Sequence, residues 1–273
     1  MRRSTRPLPD VSLADAPRRF FEGEQPPPEP FAEHVLACWT IDVTLPAGEP
    51  ALHTIWPDGC TSLFVVANNG TPVAASMIGP RLHALRVPVR GGLTLRGLRL
   101  WPDTAAQVLG VDPIAVRGLM RPAAEVLGVG ALSLARSLAR ASDDVALEAV
   151  WAEWLAPRIE SAALPDPDVR YVVRRLIDSE GCYDIARGAA EAGLSQRGLD
   201  RRFGAAVGLS PRQFARIRRV RAAIARIAAG ERDTTTLAKR AGHLDTTSFA
   251  REFRGVAGVA PHALMRELDQ LEY

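Results

Sequence analysis

Lysine is nearly absent from this chain. Of its 34 basic residues only Lys239 is a lysine, so almost all of the positive charge is guanidinium. Guanidinium suits planar, two-pronged recognition of phosphate and of guanine edges. Cysteine is scarce too: Cys38, Cys60 and Cys182 lie far apart with no CxxC spacing. That argues against a disulfide framework and fits a reducing, cytoplasmic setting. No apolar run reaches the roughly 18 residues that a membrane-spanning helix needs. The opening stretch MRRSTRPLPDVSLADAPRRF has arginines but no apolar core behind them, so it does not read as a secretory signal. Metal-ligand spacing is lacking as well. His53, Asp58, Cys60 and His83 invite a metal reading, but no HxH or CxxC pair supports it, and no metal or other cofactor is expected.

What is present is unevenly distributed. The formal net charge is +3 over 273 residues, yet residues 1–165 carry 15 arginines against 17 carboxylates and residues 166–273 carry 19 basic against 14 acidic side chains. Within 184–254 the count is 15 against 7. A genome-wide taste for arginine accounts for the missing lysines but not for this clustering. Charge gathered in one half is the footprint of an anionic partner.

The texture changes along the chain in step with the charge. Residues 1–29, ending in EGEQPPPEP, are rich in proline and charge and read as a flexible tail. Residues 30–128 show short apolar runs (CWTIDVTL, ALHTIW, CTSLFVVA, VAASMIG, LTLRGLRL) broken by PAGEP, PDG, NNG and RGG. Short strands at that spacing predict a β-sandwich or barrel. Residues 129–165 read as linker helices; ASDDVALEAVWAEWLAPRI is amphipathic, with Ser142 placed as its N-cap. Residues 166–273 read as about seven short helices, started by Asp184, Ser195, Ser210, Asp233 and Asp245 and stopped by Gly193, Gly208, Gly230, Gly242 and Gly258. The expected fold is α+β in two domains, with the β-rich domain first and an all-α domain last.

The helical half repeats itself. AAEAGLSQRGLDRRFGAAVGLSP (189–211) aligns with AKRAGHLDTTSFAREFRGVAGVAP (238–261), the second copy carrying one extra residue in its turn. Leu199 matches Phe249, Arg201 matches Arg251 and Phe203 matches Phe253. Two short helices crossing closely need alanine at the contact, supplied by Ala189 and Ala238. The turn glycine four residues later permits a positive φ. Gly-x-x-Pro then ends the second helix and starts the next. The repeat is a duplicated helix-turn-helix, with recognition helices over about 195–205 and 245–256.

These motifs, GLS followed by the buried phenylalanine and GLSP, then D..SF.R.F....GV.P, resemble the DNA-binding domain of AraC/XylS-type transcriptional regulators across the last hundred residues. CWTIDVTLPAG, WPDGC and GPRLHALRVPV with GLRLWPDTAAQVLG resemble, less specifically, the cupin-like N-terminal domain of some members. Two positions depart from the family pattern. Gly188 replaces a larger aliphatic within a helix, and His243 stands where an aromatic fills the second turn.

Away from the buried stripe, Gln196, Arg197, Asp200 and Arg201 face outward on the first recognition helix, and Thr246, Thr247, Ala250 and Arg251 on the second. The resemblance places the base-reading positions on the same residues. Arg197 and Arg201 suit guanine; Asp200 suits a cytosine amino group or a neighbouring arginine. The helix SPRQFARIRRVRAAIARIAAG joins the units at about 27 Å, at 1.5 Å per residue. Its Arg216, Arg218 and Arg219, with Arg254, are the phosphate candidates, although a solvated charged face is the more common meaning of such a run. In the β half, Trp39, Trp56, Phe64 and Trp101 are candidates to line an effector pocket, or simply to be core. The expected function is a cytoplasmic, sequence-specific DNA-binding regulator, with no catalytic residue, modulated through the N-terminal domain. Its partner is double-stranded DNA; RNA polymerase, a small-molecule effector and a second copy of the chain are further candidates, and a membrane is not. The alternatives are a co-regulator acting through protein contacts alone and a metal-dependent cupin-type enzyme, though the latter's histidine pairs and spaced glutamate are missing.

Overall fold

The computed structural model describes residues 20–269. Eight strands come first: β1 (Phe20–Gln25), β2 (Val35–Val43), β3 (Pro50–Ile55), β4 (Ser62–Asn68), β5 (Thr71–Ile78), β6 (Leu85–Arg90), β7 (Leu93–Leu100) and β8 (Met120–Pro122). Helices α1 (Ala105–Leu109), α2 (Ala123–Leu127), α3 (Gly130–Arg140) and α4 (Asp144–Glu160) follow or interleave. The remainder is helical: α5 (Pro167–Asp178), α6 (Ile185–Glu191), α7 (Gln196–Val207), α8 (Pro211–Ala228), α9 (Thr234–Arg240), α10 (Thr246–Ala257) and α11 (Pro261–Asp269).

The β-rich half is not the closed sandwich or barrel that the strand spacing suggested. Six strands form one open antiparallel sheet in the order β1-β2-β7-β4-β5-β8, while β3 and β6 pair only with each other as a separate ribbon. The spacing of apolar runs marks individual strands, not which ones pair, and among the described strands the outermost β1 and β8 do not meet. Period-two alternation divides each strand between two environments. Leu63, Val65, Met77, Leu98 and Leu100 face a core shared with α1, α3 and α4, whereas Ile41, Val43 and Leu95 pack beneath Val89 of the ribbon.

Three other expectations change. Residues 1–19 of the proline-rich tail lie outside the described residues, but 20–25 of it is β1, paired along β2 from Phe20↔Val43 to Gln25↔Cys38. Residues 129–165 are not a bare linker: Leu134, Leu138, Trp151 and Leu155 belong to the core under the sheet. The cap of α4 is Asp143, whose carboxylate accepts from Ala146 N at 2.9 Å, and Ser142 only hydrogen-bonds Asp143.

Among the described residues the C-terminal half is seven helices around one core containing Leu199, Phe203, Phe214, Ile224, Phe249 and Phe253. Asp184, Ser195, Ser210, Asp233 and Asp245 each cap a helix through their side chains. Ser210 and Gln213 form a reciprocal capping box at the start of α8, satisfying two otherwise orphaned backbone donors.

Candidate nucleic-acid interface

Each helix-turn-helix unit is assembled from the same parts. In the first, α6 meets α7 across Gly193, which sits at φ +66°. Leu199 and Phe203 point inward with no exposed surface, and Phe203 packs on Phe214 of α8 with ring centroids 5.8 Å apart. In the second, α9 meets α10 across Gly242 at φ +74°. Phe249 and Phe253 fill the equivalent positions, 5.7 Å apart, and His243 sits edge-on to Phe249 at 5.9 Å. Gly188 has a visible reason: a Cβ there would stand 2.9 Å from Cε1 of the Tyr183 ring. His243 also turns its Nε2 to Glu252 Oε1 at 3.2 Å, a bond no phenyl ring makes.

Burying one stripe leaves the opposite stripe in solvent. Gln196, Arg197, Asp200 and Arg201 are all exposed on α7, and Thr246, Thr247 and Arg251 on α10, with Ala250 half-buried. Among the described residues, no ion pair or side-chain hydrogen bond engages Gln196, Arg197, Asp200 or Arg201. Asp200 therefore does not pair with a neighbouring arginine. Backbone and side-chain bonds from Ser248 hold the Asp245 carboxyl below its ordinary value, so the cap of α10 is ionised well below neutrality.

The 18-residue α8 ties the two units together. Phe214, Ile217, Val220, Ile224 and Ile227 form its buried face. Its arginines correct the phosphate expectation. Arg218 is only 4% exposed and lies beside Asp58, Cys60 and Arg99 of the β-rich half, where burial pulls its pKa down to about 10. Arg219 clasps Glu252 with two bonds of 2.9 Å and also donates to Gly181 O. Arg216 is half-buried and reaches Glu252 O at 3.4 Å. Of the four residues, Arg254 alone is exposed with a side chain unengaged among the described residues. Sequence reasoning passed over Arg212 in the first turn of α8 and Lys239 and Arg240 at the end of α9, all of them exposed. Their place next to the turn was the signal that could have found them.

The β-rich half seats on the back of this domain. Trp56 belongs to the helical core, and the Phe214 ring lies where a Cβ on Gly59 would be 2.4 Å away. His83 Nδ1 lies 2.6 Å from Gly255 O, and Ala84 N donates to Val256 O at 2.9 Å, both at the C-terminal end of α10. Gly208, ending α7, has the Pro113 carbonyl oxygen 2.4 Å from where a Cβ would stand. Arg170 of α5 bonds buried Asp103 at 2.8 Å and Glu33 at 3.0 Å. The contacts thus fall on α5, on the C-terminal ends of α7 and α10 and on one side of α8, away from the exposed side chains at the starts of α7 and α10.

A cavity of about 250 Å³ lies between the sheet and the β3–β6 ribbon. Trp39, Trp56 and Phe64 line it, together with His53, Asp58 and Arg99. Trp101 does not: its indole donates to Ala32 O at 2.8 Å, it packs with Leu36 and Cys60, and Arg174 stacks over it at 4.5 Å. Among the described residues no group of three or more His, Cys, Asp or Glu side chains is arranged to hold a metal ion. Burial pushes all three thiols up, Cys38 to about 12, which keeps them protonated at neutral pH. No helix among the described residues is long and apolar enough to cross a membrane.

Comparison with known proteins matches two separate stretches of the chain. Residues 189–267 match the family model of a helix-turn-helix domain, and residues 23–117 match that of a domain of unknown function. Among solved structures the chain is similar to a probable AraC family transcriptional regulator from Rhodopseudomonas palustris CGA009, at 26% identity and TM-score 0.34, over 37% of this chain and 96% of that one. It is similar to the DNA-binding domain of AdpA, a global transcriptional factor solved with a target DNA, at 27% identity and TM-score 0.35, over 38% and 95% of the two chains. ToxT from Vibrio cholerae O395 is similar over 92% of this chain and 98% of its own, at 10% identity and TM-score 0.42. No curated protein matches the chain.

Proposed function

We propose that this chain, a transcriptional regulator of AraC/XylS type with a β-rich N-terminal domain and a C-terminal helix-turn-helix domain, reads DNA by setting α7 and α10 into adjacent major-groove segments. The helix-turn-helix match over residues 189–267 supports DNA binding as a transcription factor. The observation that carries the finer reading is the state of the outward faces: exposed polar side chains, unengaged on α7, on two helices tied by one continuous helix. About 27 Å of α8, at 1.5 Å per residue, approaches the ~34 Å between successive major-groove faces. One chain then meets a bipartite site without a second copy. Arg197, Arg201 and Arg251 donate to guanine edges, Gln196 and Asp200 complete the first reader, and Arg254 with Arg212, Lys239 and Arg240 holds phosphates.

The β-rich domain supplies the signal. Its cavity takes a small molecule, and two of the cavity's walls are the segments that touch the DNA-binding domain. Residues 56–60 press on α8 and residues 79–84 on the end of α10. A change in the cavity therefore shifts how the two units are held. The test uses duplexes selected by the full-length protein from a random pool. Arg201→Ala and Arg251→Ala should each lose about 1–3 kcal/mol on the selected duplex and relax one position of preference. Wild-type affinity should fall steeply with salt, since guanidinium–phosphate contacts release counterions. If both variants bind selected and scrambled duplexes as wild type does, the contact assignment is wrong.

A further inference from the structure

The two units differ at one residue of their turns, and that residue bears on what the second unit reads. After the turn glycine, Leu194 N donates to Ala189 O at 2.8 Å, and His243 N donates to Ala238 O at 2.9 Å. These are the same bond in the two units, so Leu194 and His243 are equivalents and Leu244 is the extra residue. Leu194, directly before the Ser195 cap, is partly buried against the helical core. Leu244 holds that same place before the Asp245 cap, where an apolar side chain ordinarily folds back over the fourth helical residue. Here the fourth residue is Phe249, and His243 already covers it. Leu244 is left wholly in solvent, with a relative exposure of 105%.

Its neighbours share its character. The outward set on α10 is Thr246, Thr247, Ala250 and Arg251, three of which present a methyl group, while the outward set on α7 is Gln196, Arg197, Asp200 and Arg201, none of which does. A recognition helix enters the major groove by its N-terminal residues. The apolar feature on base edges in that groove is the thymine C5-methyl group. We infer that the second unit reads thymine methyls, with Leu244 as the principal contact, so that the bipartite site is chemically lopsided: guanine-bearing under α7 and thymine-bearing under the start of α10. This rests on the groove-reading assignment above and specifies the base chemistry of one half of it.

The experiment uses the full-length protein and a duplex it has selected from a random pool. Each thymine in turn is replaced by deoxyuridine, which removes the methyl and leaves the hydrogen-bonding edge intact. Burying one such carbon is worth about fourfold in affinity. A loss of that size is expected at one or more thymines in the half-site protected by α10 and at none in the other half. Leu244→Ser should bind the thymine and deoxyuridine duplexes equally at one of those positions. Uniform indifference to deoxyuridine, or full discrimination surviving in Leu244→Ser, overturns the inference while leaving groove reading intact. Failure to select any preferred duplex instead sinks the groove reading itself.

Discussion

The two helix-turn-helix units share an interior and differ in almost everything that surrounds it. Leu199 and Phe203 of the first correspond to Phe249 and Phe253 of the second, and all four are at most 1% exposed. Outside that stripe the equivalents part company. Arg202 reaches back to Asp166, the cap of α5, with two bonds of 2.7 Å, whereas its counterpart Glu252 turns to Arg219 of α8. Gly208 is pressed by Pro113 of the β-rich half, whereas its counterpart Gly258 has nothing within 4 Å of a Cβ position. Duplication fixes what must be buried; the uncovered surface is free to diverge, and there the two units acquire different contacts.

That comparison can be broken at its strongest point first. Phe203→Ala and Phe253→Ala should each destabilise the protein by about 3–5 kcal/mol in denaturant unfolding. Similar losses are expected because both rings are fully enclosed; a much smaller loss for one would mean that its unit is loosely packed. The glycine pair sharpens the contrast. Both sit near φ +77°, at +76° and +77°, so an alanine costs each about 1–2 kcal/mol of backbone strain. Gly208→Ala must also push aside the Pro113 carbonyl, so it should cost clearly more than Gly258→Ala by the same measurement. Equal losses would show that the β-rich half does not press on α7.

The smallest effect is with pH. Burial alone would raise the Glu252 carboxyl, but bonds from Arg219 and His243 hold it below its ordinary 4.5; Asp166, likewise opposed by burial, is held below 3.8 by Arg202. A carboxyl whose folded pKa is depressed stabilises the fold above its unfolded pKa and loses that contribution as pH falls through the folded value. The contribution of these two pairs should therefore be level from neutrality to about pH 5 and decline below it. Glu252→Gln and Asp166→Asn should each make that decline shallower, and an unchanged acid slope in both would remove these pairs from the account.

The helical half was far more legible than the β-rich half, and the reason is range. Caps such as Ser195 and Asp245, stops such as Gly208 and the Leu199/Phe203 stripe are set by neighbours within one or two turns, so spacing reveals them. Strand pairing is not local: nothing near PALHTI says that β3 joins β6 and leaves the main sheet. Arg218 shows the same limit within a legible element. Its helix was plain from the sequence, but its burial depends on Asp58, Cys60 and Arg99, more than a hundred residues away. Trp101 was open to core or to pocket lining, with core the simpler reading, and its indole bond to Ala32 O holds it outside the cavity. That the second turn holds an extra residue was visible from the spacing; the backbone bonds identify it as Leu244, and its full exposure gives the insertion a chemical meaning.

The most direct test concerns α8 as a fixed spacer between two readers. Full-length protein is bound to a selected duplex and to versions in which about 5 or about 10 base pairs, half a turn or a full turn of B-form DNA, are inserted between the half-sites. The half-turn insertion carries one half-site to the far side of the duplex, and the full-turn insertion moves it a further ~34 Å along. Both insertions should reduce binding to the level of a duplex with one half-site scrambled. Undiminished affinity for either would contradict the claim that one rigid helix holds α7 and α10 in register on a single face of DNA.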